Sequence, residues 1–307
     1  MPKILDDDFD EAEMFSAPVI APPVKAKKTT GNPLAAYFRM PGLSIGLPTG
    51  GRFLPPGAIQ LDAQGKVEVY PMRSADELLL KAPDALMSGL AIEKLIESCV
   101  PAIRTPSLVS APDLDVLLLA IRAASYGNMM PVEVDCPQCS AELAFDCDLS
   151  TVLATMEPVP ETLDVRLSDD VVVVMIPHTL ASQTRLLLAA YEEQRRAQAM
   201  DSNDLDDAVK QQILRETLTR LGDFQNNSLV DSIVKIAIPD QEVTDRANIK
   251  EFVTKTNKDW SDKMQKRMDE INMMGLNRDI PAHCDKCGHE WVTKLEFNPA
   301  TFFGQGS

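Results

Sequence analysis

Pro131-Val132-Glu133-Val134-Asp135-Cys136-Pro137-Gln138-Cys139, near the middle of the chain, and Ile280-Pro281-Ala282-His283-Cys284-Asp285-Lys286-Cys287, near its end, follow one local pattern. In each, a short extended segment enters a tight turn bearing two thiols. In each, the chain leaves as a strand with apolar residues on alternate positions: Ala141-Glu142-Leu143-Ala144-Phe145-Asp146-Cys147 after the first pair, Gly288-His289-Glu290-Trp291-Val292-Thr293-Lys294-Leu295 after the second. That is one knuckle of a zinc ribbon, present twice. Four thiolates complete a tetrahedral zinc site with no position left open for a substrate. The pattern therefore predicts that Cys136, Cys139, Cys284 and Cys287 hold one structural zinc ion per chain and tie its middle to its C-terminus. The intervening stretch of about 145 residues exceeds the ordinary ribbon spacing, so closure of the site rests on the matching of the two halves.

Other uses of paired cysteines fit less well. A redox Cys-x-x-Cys opens a helix after a strand, whereas the residues after both pairs alternate as strands do. A disulfide staple needs an oxidising compartment, and nothing at the N-terminus reads as a secretory signal. His283 and His289 flank the second pair and read as bystanders, since four cysteines suffice. Cys99 in an apolar helix and Cys147 in the first outgoing strand read as small buried residues.

The 307 residues suffice for one large or two ordinary domains, and 45 % hydrophobic residues support a real core. The formal charge of −16 argues against nucleic-acid binding, which needs a basic surface, and suits partners with basic patches. No apolar run approaches the roughly 18–20 residues that span a bilayer. The expectation is a soluble protein made in a reducing cytosol, with no membrane partner.

In chain order, residues 1–33 read as an extended or disordered acidic arm: Asp6-Asp7-Asp8 and Asp10-Glu11 precede Pro22-Pro23 and the basic run Lys25 to Lys28, without apolar periodicity. Met14, Phe15, Val19 and Ile20 also suit an arm that orders on a partner. From Tyr37 to Pro71 the chain is strand and turn, with Gln64-Gly65 separating Ala58–Leu61 from Val67–Tyr70 as in a hairpin. Thr49-Gly50-Gly51 lacks the Gly-Lys-Ser/Thr ending of a phosphate loop. Ser74-Ala75-Asp76-Glu77 is a capping box opening a helix. A second helix runs through Gly89 to Ile96, and a third starts at Ser110-Ala111-Pro112-Asp113 and ends at Tyr126-Gly127. Beyond the first knuckle, Leu163–Leu167 and Val171–Ile176 form a hairpin whose second strand is buried on both faces. Helices follow near 180–200 and 205–221, broken at Asp201 to Asp204. A shorter element spans 229–238, and two more helices cover about 246–256 and 259–274. Met264, Met268, Ile271 and Met274 make a stripe on the last that reads as core, with an adaptable partner groove as the alternative. The phenylalanines of the tail Asn298 to Gly304 suit docking on the chain's own ribbon or on another subunit.

No catalytic constellation emerges. His178 follows Pro177 at a strand end and reads as a polar turn residue. The acidic runs lack the spacing of calcium loops, and Glu192-Glu193 before Arg195-Arg196 reads as surface charge pairing. On chemistry alone this is a structural or interaction protein, with no enzymatic activity and no small-molecule substrate.

The order of elements as a whole resembles the baseplate protein family of T-even-type contractile-tailed bacteriophages, which contains the baseplate hub subunit and its assembly relative. Carrying the likeness are Leu47-Pro48-Thr49-Gly50-Gly51 before Val67 to Arg73, Glu77-Leu78-Leu79-Leu80, Glu97-Ser98-Cys99-Val100, and Leu114 to Arg122 with Tyr126-Gly127. The two cysteine pairs, Phe297-Asn298-Pro299 and Phe302-Phe303-Gly304 complete it, over about residues 40–307. The resemblance implies a non-enzymatic component of the virion tail baseplate, at the hub or the hub–wedge junction, assembled in the host cytoplasm through contacts with other baseplate and tail proteins. The assembly relative implies the alternative, a transient chaperone for the hub. The expected fold is α+β: a β-rich N-terminal part, helical bundles and a discontinuous zinc ribbon. The expected divisions are 1–33, 34–150 ending in the first knuckle, 151–278 as a hairpin plus helical insert, and 279–307 with the second knuckle and aromatic tail.

Overall fold

Helix α4 (Ala111–Tyr126) has almost no polar face, and every residue from Ala111 to Ala123 is buried. Ser110, in extended conformation, precedes it, Pro112 lies in its first turn, and Gly127 ends it at φ 89°, a value that L side chains rarely adopt. A helix apolar all round must be covered on every side, and the first core is that covering. The structure, a computed structural model, describes residues 32, 34, 38–201, 207–295 and 302–303, with side chains for all of these except 197–201 and 207–210. The chain divides into two units, Met1–Phe38 and Arg39–Ser307, and all the elements named here belong to the second. The acidic arm, the break at 202–206 and the tail outside Phe302-Phe303 lie beyond the described residues.

Strands β1 (Leu43–Gly46) and β2 (Lys66–Val69) pair antiparallel and pack with α1 (Ser74–Leu80), α2 (Pro83–Met87) and α3 (Leu90–Cys99) around α4. Val69, Leu95, Ile96, Cys99, Leu117 and Ile121 are essentially inaccessible. Full burial of each such aliphatic side chain contributes about 1.5–3 kcal/mol. The hairpin expected between Ala58–Leu61 and Val67–Tyr70 does not form. β2 pairs with the more distant β1, while Ile59 makes only an isolated bridge to Ile103. The reason is local: Asp62 accepts from the backbone N–H groups of Gln64 and Lys66 (2.8 Å each), closing a tight turn that carries the chain away. The helix start at 74 is also displaced by one residue. Arg73 is the N-cap, and the Asp76 carboxylate accepts from its backbone N–H at 2.8 Å.

The hairpin β3 (Met129–Asp135) and β4 (Glu142–Asp148) leads through α5 (Leu149–Ala154) to a second core. There β5 (Asp164–Arg166), β6 (Val172–Met175), β7 (Ile233–Ile238) and β8 (Gln241–Val243) form an antiparallel sheet in chain order. The β5–β6 hairpin is as expected, but β6 is fully buried on one face only, through Val173 and Met175. Between β6 and β7 run α6 (Leu180–Asp201) and α7 (Asp207–Ser232). Helices α8 (Arg246–Lys255) and α9 (Lys258–Asn272) follow β8, and Ile249, Val253, Met264, Met268 and Ile271 complete the core. The methionine stripe is therefore core. Strands β9 (Asp279–His283) and β10 (Glu290–Lys294) form the final hairpin.

Specific polar contacts brace the first core and tie it to the second. Asp113 accepts from the Thr49 backbone N–H (2.9 Å), the Thr49 hydroxyl and the Ser110 hydroxyl (2.9 Å), which locks the Thr49-Gly50-Gly51 turn to the start of α4. Burial pushes its carboxyl above the usual carboxylate range, and these donors with Arg52 pull the other way. The backbone N–H of Val159 donates to Pro48 (2.8 Å) and that of Glu157 to Gly275 (3.0 Å). Phe302 and Phe303 are 4 % and 6 % exposed and lie in the first core, not on a free surface. The buried Arg122 of α4 holds them: it donates to the Phe302 carbonyl and stacks over the Phe302 and Tyr126 rings at 5.3 and 5.5 Å.

Candidate metal centre

Both hairpins present their thiols from six-residue loops, Cys136–Ala141 between β3 and β4 and Cys284–His289 between β9 and β10. The backbone bonds of the loops match residue for residue. Cys136 N–H donates to the Ala141 carbonyl (2.9 Å) and Ser140 N–H to the Cys136 carbonyl (2.8 Å). Cys284 N–H donates to His289 (2.9 Å) and Gly288 N–H to Cys284 (2.8 Å). The fifth loop residue is left-handed in both, Ser140 at φ 53° and Gly288 at φ 71°. That conformation turns the chain back into the outgoing strand. Glycine announces it at the second knuckle, whereas Ser140 carries no such signal at the first.

The loops meet. Cys136 Sγ lies 3.7 Å from Cys287 Sγ, Cys139 Sγ lies 3.6 Å from Cys284 Sγ, and all four sulfurs lie within 4.8 Å of one another. A regular tetrahedron with Zn–S bonds of about 2.3 Å has S···S edges of about 3.8 Å, so the donor set fits that ion. A disulfide needs about 2.05 Å between sulfurs, and all six cysteines are free thiols. Cys136 and Cys284 are buried, with Ala141, against Leu143 and Trp291, while Cys139 and Cys287 face outward. Neither pair opens a helix, as a redox motif of that spacing does.

Packing the thiols together separates their titrations. Burial opposes ionisation of Cys284, but backbone N–H groups of Cys287 and Lys286 and the thiols of Cys287 and Cys139 outweigh it and bring it down to about 7. The backbone N–H of His289 favours the Cys287 thiolate, yet burial and proton sharing with the other three thiols push it up to about 12. Cys139 is raised for similar reasons, against the pull of the Ala141 N–H. Cys284 ionises near neutrality while Cys139 and Cys287 hold their protons, as expected of clustered like charges; a cation relieves that cost.

A family model described as T4 bacteriophage base plate protein matches residues 59–304, most of the chain and both knuckles. The chain belongs to the T4 baseplate protein family. Neither a search of curated proteins nor one of solved structures returned a match. Membership makes this baseplate protein a component of the phage tail that works with other tail proteins, in a family whose role is structural. No helix among the described residues is long and apolar enough to cross a membrane.

The other residues that the sequence singled out are engaged structurally. His283 lies 3.4 Å from Asp285, His289 stacks on Trp291 (ring centroids 5.7 Å apart), and neither imidazole joins the sulfur cluster. His178 is a turn residue with both ring nitrogens occupied, by Ser228 (2.9 Å) and Asn272 (3.1 Å). Cys99 and Cys147 are buried, and burial raises both thiols, Cys99 to about 11. Glu193 departs from the surface pairing expected of it. It is 3 % exposed and bonds Arg220 across the α6–α7 contact as well as Arg196. Arg122 gave no sign of a role in the sequence, because its partner carbonyl at Phe302 is 180 residues away.

Proposed function

We propose that the chain is a structural subunit of the contractile-tail baseplate, at the hub or the hub–wedge junction, and that Cys136, Cys139, Cys284 and Cys287 hold one zinc ion in it. The observation that carries this reading is the meeting of two matching thiol hairpins, 145 residues apart in sequence, in one cluster of four sulfurs. Such a centre fixes geometry and leaves no coordination position for a substrate. It suits a part that transmits load through protein contacts without catalysis. In this reading 151–278 is an insert whose ends are clamped by the ribbon, which joins the first knuckle of 34–150 to the second of 279–307. The arm 1–33 contacts a neighbouring subunit. No nucleic acid, membrane or small-molecule substrate enters the role.

Mass spectrometry of purified tail particles, combined with metal analysis of the isolated chain, tests the proposal. Stoichiometric presence in particles and one zinc per chain are expected. A chain required for tail assembly but missing from finished particles is instead a transient chaperone of the hub. An isolated chain with no bound metal defeats the zinc assignment.

A further inference from the structure

The middle of the α6–α7 hairpin buries a carboxylate between its helices and exposes leucines on the outer face of α7. Where the two helices face each other, the buried Glu193 is bonded by Arg220 of α7 at 3.0 Å and by Arg196 at 2.5 Å. On the outer face of α7, Leu214 and Leu218 are 51 % and 60 % exposed, and Leu221 continues the same stripe at the i, i+4, i+7 spacing. Gly222 lies one turn after Leu218 within the helix, and a Cβ built on it meets nothing within 4 Å. A glycine inside a helix costs roughly 1 kcal/mol relative to alanine, and no close approach within this chain calls for it. Arg215 and Asp223 are exposed and, among the described residues, neither has an ion-pair partner.

We propose that α7 packs antiparallel against α7 of a second copy of this chain, about a two-fold axis near Thr219 and Arg220. In an antiparallel pair, residues meet when their numbers sum to a constant. Leu218 and Gly222 have Arg220 as their midpoint, and Arg215 and Asp223 have Thr219, so one crossing point satisfies both pairs to within a residue. Leu218 of each copy then sits over Gly222 of the other, a ridge in the gap that the missing side chain leaves. Arg215 of each lies alongside Asp223 of the other, on one flank of the seam, and Leu214 and Leu221 close the opposite flank. The self-complementarity selects the occupant. A partner helix must present glycine where this one has leucine and acid where this one has arginine, in reverse order, and α7 itself does so. The contact is isologous and closes at two copies.

Sedimentation equilibrium on the full-length chain tests this. The wild type is expected to dimerise, and Leu218→Glu to be monomeric at every concentration with unchanged circular dichroism, since that side chain faces solvent in the monomer. Gly222→Leu, which fills the seam, is expected to weaken the dimer. Arg215→Asp is expected to raise the dissociation constant about tenfold, since two exposed ion pairs become repulsive, and adding Asp223→Arg to restore it. A monomeric wild type overturns the proposal, as does a dimer indifferent to Leu218→Glu. A charge swap that fails to restore the wild-type constant overturns the antiparallel register.

Discussion

Cys284→Ser removes one corner of the sulfur cluster, and the structure sets the size of the loss. Cys139 and Cys284 lie 145 residues apart, so metal bound across them closes a loop of that length. The chain-entropy relation for cross-links gives about 5 kcal/mol at 25 °C for such a loop. Domains of ordinary stability hold roughly 5–15 kcal/mol in all, so the variant is expected to be protease-sensitive or insoluble. Two tryptophans allow the loss to be located. Trp291 packs on the cysteine cluster, whereas Trp260 packs against Phe252 in the second core. Trp260→Phe isolates the first signal and Trp291→Phe the second, so urea unfolding followed by fluorescence reads each region separately. Chelator on the wild type should shift the Trp291 transition by the same amount as the substitution. Cys136→Ser should cost what Cys284→Ser costs, and the double variant no more, because either change abolishes one shared site. Additive losses mean two independent knuckles. A midpoint that chelator leaves unmoved would falsify the shared metal altogether.

Three further perturbations read other parts of the design. Gly275 has φ 97°, and a Cβ there falls 2.8 and 2.9 Å from the Pro48 ring, so Gly275→Ala is expected to cost about 2–4 kcal/mol of unfolding free energy. Gly57→Ala, equally left-handed but with open space around it, should cost only about 1 kcal/mol. Burial holds His178 below its ordinary value, with Asp269 and Asp231 pulling the other way. The unfolded chain therefore takes up that proton first, and the contribution of His178 is complete above about pH 6.5 and lost as pH falls. His178→Leu should lower stability by about 1–3 kcal/mol at pH 8 through the stranded Ser228 and Asn272, and flatten the profile below pH 6.5. Burial pushes the Asp115 carboxyl up to about 7, and Arg278, its ion-pair partner, pulls it down. A raised carboxyl stabilises the fold at low pH and loses that contribution as pH rises. Arg278→Met should therefore cost about 1–1.5 kcal/mol more at pH 8 than at pH 5, since without the arginine the buried carboxyl stays protonated about one pH unit beyond its wild-type titration; a pH-independent difference refutes the pairing.

The parts of this fold that were legible in the sequence are those encoded within a few residues. Cys-x-x-Cys with alternating flanks specifies a thiol-bearing hairpin, and the hairpins at 129–148 and 279–294 are there. The start of α4 was legible because Ser110 and Pro112 act within one turn of it. What escaped was encoded at a distance. Strand β7 follows α7 directly at Ser232–Ile233, with no glycine or proline between them, and becomes a strand because β6 lies open about sixty residues earlier, pairing Val173 with Ile236. The Ala58–Leu61 segment has strand-forming residues and still yields to the Asp62 turn. Arg122 is buried near the end of an apolar helix, and only Phe302, 180 residues on, supplies the carbonyl and ring that make its burial tolerable.

The two thiol hairpins are held together by the same mixture of local and distant contacts. The cysteines alone specify two hairpins, each stable only when packed or cross-linked. What brings them together is the first core: Met130 and Val132 of β3, Ile280 of β9, and Leu295 just after β10 belong to it, with Phe302 and Phe303 beyond. Apolar packing thus delivers the thiols to one place before any ion is bound, and the like-charge cost of ionising them stays for the cation to relieve. On the proposed metal reading, a site arranged in this order takes up its ion after the hairpins have packed. Loss of the metal should then loosen 129–148 and 279–295 while leaving α4 and its neighbours protected. Hydrogen exchange on chelated protein measures that pattern, and uniform loss of protection across both cores would mean that the metal, not the packing, assembles the chain.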